Sequence, residues 1–368
     1  MATQNNDGFY NETQNNENEY KEPVLQTVLM EDLPNGRFYN DGGFGFGEDP
    51  QKKERAREIK RLSNASTLPL IMFWVLGEVF VFALVIILQL CIGTKSTDLI
   101  VRDIDFNYIF NGFLSVTLLS LPFLLTAKIT GQPLSKTTNI KKCKSGRALP
   151  CIMLGFGVCM IANYLNNVFA NFFTSVSGEQ VVDPSIGYGQ GIKSLVIYLI
   201  CVGVIPAVME EFAFRGVLLG TARKYTSDGF AIISNAILFS LLHGNLRQIP
   251  FTFLLGIYLA YITVYTDSVV PAMVVHCVNN AMSVILSMST AGLSPLTQTV
   301  VYGLYFLAML LVGLCGLVLL LHRDKGALRL SSERSDDTLF VARNFFTSIG
   351  FLVFAAFAVV RIVQIQWL

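Results

Sequence analysis

From residue 63 onward, long apolar runs alternate with short polar breaks. The runs fall near 67–92, 108–127, 148–173, 192–220, 229–243, 249–266, 268–290, 299–321 and 345–363. Most have the length to cross a hydrocarbon core of about 30 Å at about 1.5 Å per residue. The run at 229–243 is the shortest. The pattern predicts an all-α chain, a polytopic transmembrane helix bundle with eight or nine spans.

Residues 1–62 follow no such pattern. They are rich in Asn and Gln, carry nearly half of the 26 acidic residues, and include the stretch GGFGFGEDP. Such a composition buries too little apolar surface to offset chain entropy, so a disordered polar cytoplasmic tail that does not pack on the bundle is expected. No apolar run of signal-peptide length occurs there, and no cleaved leader is expected. The organisation read from the pattern is this tail at 1–62, a membrane core at 63–322, and a cytoplasmic loop with an additional C-terminal span at 323–368.

Composition agrees with lipid as the main solvent. Hydrophobic residues make up 52% and charged residues 14% of the 368, with a mean hydropathy of +0.53. Soluble domains carry about 25% charged residues. The net charge of +1 leaves no bulk basic field for nucleic acid. Seven cysteines fall mostly inside apolar runs without a CxxC pair, so they read as reduced small hydrophobes.

Lysine and arginine set the expected orientation. Lys52, Lys53, Arg55, Arg57, Lys60 and Arg61 precede the first run. Lys128, Lys136, Lys141, Lys142, Lys144 and Arg147 mark a second basic break. Arg223 and Lys224 mark a third, and Arg323, Lys325, Arg329, Arg334 and Arg343 a fourth. The breaks at 94–107 and 174–191 are poorer in both. The alternation predicts an integral membrane protein with a cytoplasmic N-terminus.

Charges within hydrocarbon are costly, and those retained are candidates for function. They are Glu78, Glu210, Glu211, Arg215, His243 and His276. Glu211 and Arg215 are four apart, on one helix face and within pairing reach. Glu210 is turned away from Glu211 by about 100° and has no nearby cation in sequence, which suits a general base. Pro206, four residues earlier, predicts a bend beside the carboxylates. His243 lies about as far beyond the 224–229 break as Glu210 lies before it, roughly 21 Å along each helix, so an antiparallel pair sets them at one height. Phe239 shares the face of His243. His276 and Asn280 share a face of another run, where both can donate to developing negative charge. Asn279 points elsewhere.

These residues spell EExxxR, FxxxH and HxxxN on three separate spans. In that order and setting, over roughly 190–290, the pattern resembles the CPBP family of intramembrane proteases. That family includes type II CAAX prenyl endopeptidases and bacteriocin-processing or self-immunity proteins. The resemblance implies peptide-bond hydrolysis within the membrane. Glu210 and His243 would activate the attacking water, His276 and Asn280 would stabilise the oxyanion, and Glu211, Arg215 and Phe239 would support them. It also implies a membrane-associated peptide or protein as substrate, the lipid bilayer as surroundings, and no nucleic-acid partner. We expect the bacterial plasma membrane as location. Glu210, His243 and His276 have donor types that suit zinc. A glutamate-activated water with an oxyanion hole requires no cofactor, and the sequence leaves both readings open. Two other classes also stay open: a non-catalytic peptide-binding or bacteriocin self-immunity factor, and a transporter using Glu78, Glu210 and Glu211 as a proton relay. No HExxH, GxGD pair or GxSxG supports another type of intramembrane protease.

Overall fold

The computed structural model describes residues 49–129, 143, 145–182, 187–327 and 337–367. Most of the tail, and Lys136, Lys141, Lys142, Lys144, Arg329 and Arg334 of the basic breaks, lie outside the described residues. Among the described residues every regular element is helical.

Helix α1 runs Pro50–Ile92, followed by a short α2 at Thr94–Arg102 and then α3 at Ile104–Ile129 and α4 at Ser145–Ser177. Helix α5 spans Ile192–Tyr225. The short α6 is Asp228–Leu242, α7 is Ile249–Thr266 and α8 is Val270–Thr290. The chain continues through α9 at Pro295–Arg323, α10 at Thr338–Phe346 and α11 at Ile349–Trp367. Eight of these, all but α2, α6 and α10, are long and apolar enough to cross a bilayer. The protein is an integral membrane protein with an all-α fold. At 15 residues, α6 is the short run anticipated from sequence.

The described residues of Asp49–Leu368 form one compact unit. The first turns of α1 are helical where a disordered tail was expected. Asp49 caps them by accepting from Gln51 N at 3.0 Å, with Pro50 in the first turn. Ile59 and Leu62 are buried in a cluster with Phe214, Leu218, Phe230 and Phe345. Arg55 donates to the Tyr225 carbonyl at 2.5 Å, satisfying an open acceptor at the end of α5. The apolar Ile59 and Leu62, one turn apart among charges, give this segment a face to bury despite its overall polarity.

The last helix is likewise built into the bundle. Ser348 bonds Ser63 at 2.7 Å, Asn64 accepts from Gly350 N at 2.8 Å, and Phe354 stacks on Trp74 at 5.0 Å between centroids. Helices α4 and α9 meet at glycines: a Cβ on Gly313 would stand 2.5 Å from the Gly157 Cα. Without side chains at the crossing, the backbones approach closely, as membrane helices do where dispersion replaces the hydrophobic effect.

Candidate active site

Helix α5 carries the first motif and is not a uniform α-helix. Leu199–Val204 and Phe212–Leu218 are wound as π-helix on either side of the α-helical Ile205–Glu211. Pro206 sits at the junction, and its missing N–H and ring disfavour α-helical pairing with the carbonyl four residues back, that of Val202. Asn280 of α8 points its Nδ2 at this same carbonyl, 3.5 Å away. Insertions of this kind recur at functional sites because they turn side chains out of the regular helical series.

At the centre lies an ionic chain. Arg215 Nη1 donates to Glu211 Oε1 at 2.9 Å, and both side chains are fully buried. Arg215 Nη2 reaches the Gly256 carbonyl of α7 at 3.2 Å. Its guanidinium lies 4.3 Å from the centroid of Phe239, the motif residue of α6. Gly256 permits this approach, since a Cβ there would meet Ala236 and Phe239, both at 3.3 Å. Asn235 of α6 donates to the Phe214 carbonyl at 2.9 Å, locking α6 to the second π-helical stretch.

His276 of α8 completes the chain. Its Nδ1 is 2.8 Å from Glu211 Oε1, and its Nε2 is 3.7 Å from Glu210 Oε2. The second distance exceeds a hydrogen bond. With Nδ1–H donated to Glu211, a neutral His276 presents the lone pair of Nε2 toward Glu210. Glu210 keeps 18% of its side chain exposed, against none for Glu211. Of the adjacent pair, one carboxylate is locked between Arg215 and His276 and the other is partly exposed.

His243 ends α6. Gly244 has φ of +55°, the left-handed geometry that closes a helix, and its N–H returns to the Leu241 carbonyl at 3.0 Å. His243 Nδ1 lies 2.9 Å from the Phe239 carbonyl, so donation there leaves Nε2 as an acceptor. The His243 and His276 rings both stand edge-on to Phe239, at 4.9 and 6.0 Å. The helix register agrees with the equal-height argument: Phe239 lies against Arg215, and one further turn along both helices brings His243 level with Glu211.

Glu210, Glu211, Arg215, Phe239, His243 and His276 therefore gather in one place. Asn280 faces the first π-helical stretch through Val202, and its Oδ1 accepts from Asn279 Nδ2 at 3.2 Å. Glu78 stands apart in a pair with Arg361 at 2.6 Å. Residues that sequence reasoning missed are Gly256, Asn235 and Arg361. Pro206 was the visible sign of the irregular winding.

Among the described residues, no group of three or more His, Cys, Asp or Glu side chains is placed to hold a metal ion. Glu211 takes one nitrogen of His276, and the Phe239 carbonyl takes one of His243. The Nε2 of each ring is left free of these two bonds.

Residues 192–282 match the family described as Type II CAAX prenyl endopeptidase Rce1-like. The match covers about a quarter of the chain. All three motifs fall inside it. The chain is also 24% identical over 147 residues to the membrane-embedded CAAX protease MroQ of Staphylococcus aureus (strain USA300), covering 38% of this chain and 58% of that protein. No solved structure matches. The matched segment takes in α5 to most of α8, whereas α1 and α11, which pack beside it, lie outside the match.

Proposed function

We propose that the protein is an intramembrane endopeptidase that hydrolyses a peptide bond of a membrane-associated protein or peptide. The observation that carries this reading is the unequal pair of glutamates joined through His276. Glu211 is held by Arg215 and His276, while Glu210 faces His276 Nε2 across 3.7 Å. A water beside both would donate one hydrogen to Glu210 and one to the Nε2 lone pair. Attack on a peptide carbonyl passes a proton to this couple, and the same proton is then available to the departing amine.

In this mechanism Glu210 is the base and His276 its partner. Glu211 fixes the tautomer of His276, and Arg215 balances the charge of Glu211 in a site with little water. His243, whose ring also stands edge-on to Phe239, takes part in placing the water or the leaving group. Asn280 presents an amide near Val202, where it would orient the substrate carbonyl or donate to its oxyanion. The first assignment of His276, as an oxyanion donor, requires its protonated form; in the neutral ring Nε2 accepts.

The N-terminus is proposed to be cytoplasmic and the membrane to be the plasma membrane of a bacterium, on the lysine and arginine alternation. The test is hydrolysis in 18O-labelled water. Detergent-purified protein is incubated with a library of membrane-associated peptides. Cleaved products carrying one 18O in the new carboxylate support hydrolysis. Retention of peptide without any product supports the non-catalytic binding reading instead.

A further inference from the structure

Away from the glutamates, three helix ends enclose a second feature. A cavity of about 460 Å³ is lined by Gly146 and Arg147 of α4, Tyr265 of α7, and Leu320, Arg323 and Asp324 at the end of α9. Arg147 lies over the Tyr265 ring at 5.1 Å and places Nη1 3.5 Å from the Tyr265 carbonyl. Arg323 donates from Nη1 to the Gly146 carbonyl. Each guanidinium has five N–H donors in a planar fork, and these contacts use one. Among the described residues, neither approaches a carboxylate to ion-pair distance.

Asp324, the acid of the lining, is committed elsewhere. Its Oδ2 accepts from the Tyr265 hydroxyl at 3.0 Å and its Oδ1 from Gly326 N at 2.9 Å. Two cations from different helices thus converge on a cavity that holds one carboxylate, Asp324, and among the described residues neither is ion-paired, each being braced by a tyrosine or a carbonyl. The level also matters. The apolar run of α9 ends at Arg323, that of α4 begins just after Arg147, and α7 ends at Thr266. All three mark a boundary between hydrocarbon and water. On the same turns of α4 and α9, Leu149 is 57% exposed and Leu319 and Leu321 are 39% and 37% exposed, so apolar helix surface lies at this level. Apolar helix surface at the level of two guanidiniums suits an acyl chain beneath an anionic headgroup.

We propose that this cavity binds the phosphate of an anionic phospholipid, held between Arg147 and Arg323. Arg–phosphate contacts are charge-assisted and often bidentate, and basic pockets between membrane helices on one face commonly seat such headgroups. The site is independent of the protease reading and is a binding site in its own right.

Delipidated protein in neutral detergent is titrated with dihexanoyl phosphatidylglycerol, dihexanoyl phosphatidylcholine or inorganic phosphate, and Tm is followed. Native mass spectrometry counts retained lipid on the unmodified chain. The expected result is a saturable rise in Tm with phosphatidylglycerol and one retained lipid. With Arg147→Gln and Arg323→Gln combined, the Kd for phosphatidylglycerol rises at least roughly tenfold. Lys53→Gln with Lys60→Gln removes the same charge from α1 and leaves the titration unchanged. Inorganic phosphate saturating at the same site, with loss in the same variant, supports the phosphate site and assigns its source to the soluble anion. Equal stabilisation by phosphatidylcholine overturns the proposal, as does an unchanged titration in the double variant. If that variant does not fold, Arg147→Lys, which keeps the charge and loses the fork, is read instead, and an unchanged Kd there, together with no excess of retained phosphatidylglycerol over phosphatidylcholine, overturns it.

Discussion

Replacing Arg215 by Met should cost far more than an ordinary membrane hydrogen bond. The substitution keeps a long apolar stem and removes the guanidinium. It strands Glu211, whose side chain is fully buried and whose Oε2 has no hydrogen-bond partner among the described residues. Leaving one member of a buried ion pair unpaired costs about 3–5 kcal/mol. The guanidinium over Phe239 contributes up to about 2 kcal/mol when desolvated. The two contributions overlap, so a total of about 4–6 kcal/mol is expected. An interhelical polar contact in a membrane protein is worth about 0.6 kcal/mol on average and about 1.7 at most. The assay is unfolding in mixed micelles by denaturing detergent, followed by tryptophan fluorescence. Glu211→Gln removes the stranded charge and keeps an acceptor for His276, so adding it to Arg215→Met should recover at least about 2 kcal/mol. If Arg215→Met costs under about 1 kcal/mol, or if Glu211→Gln adds to the loss, the buried chain of charges is not what holds these helices.

Ile59→Ala should destabilise by about 2–5 kcal/mol in the same assay, because Ile59 is fully buried; the exposed Glu54→Ala should change little, and equal effects would mean the start of α1 does not pack. Gly316→Ala places a Cβ 2.4 Å from the Leu154 nitrogen and should cost about 1–3 kcal/mol. Gly303→Ala on the same helix meets nothing within 4 Å, so the two melting temperatures should separate. Glu78→Gln should keep peptide cleavage within a few-fold of wild type, because Glu78 pairs with Arg361 away from Glu210. Abolished activity there would favour a relay through Glu78.

The hydrophobic pattern alone located the helices, because each run must satisfy its backbone internally in lipid. The ion pair of Glu211 with Arg215 was legible from four-residue spacing, and the common height of Glu210 and His243 from counting along two antiparallel helices. His276 was placed on the correct face, but its contacts were not: Glu211 and Glu210 lie 65 and 66 residues away, and no local spacing reports the crossing of α8 over α5. The same limit hid Gly256, whose carbonyl matters only because α7 passes Arg215. The start of α1 was misjudged because average polarity concealed two apolar residues on one face. Pro206 announced irregular winding, while the extent of the π-helical stretches depends on packing against α8 and α6.

The central claim is that Glu210 is the base that activates water. The direct measurement is the cleavage rate of Glu210→Gln against wild type, on one membrane peptide, in purified and demonstrably folded protein. Glutamine keeps the shape and hydrogen bonding of the side chain and removes its basicity. Loss of a general base costs about 10²–10⁴ in rate, or about 3–5 kcal/mol of barrier. The account predicts a fall in that range with an unfolding midpoint close to wild type. Cleavage by Glu210→Gln at near wild-type rate would contradict it.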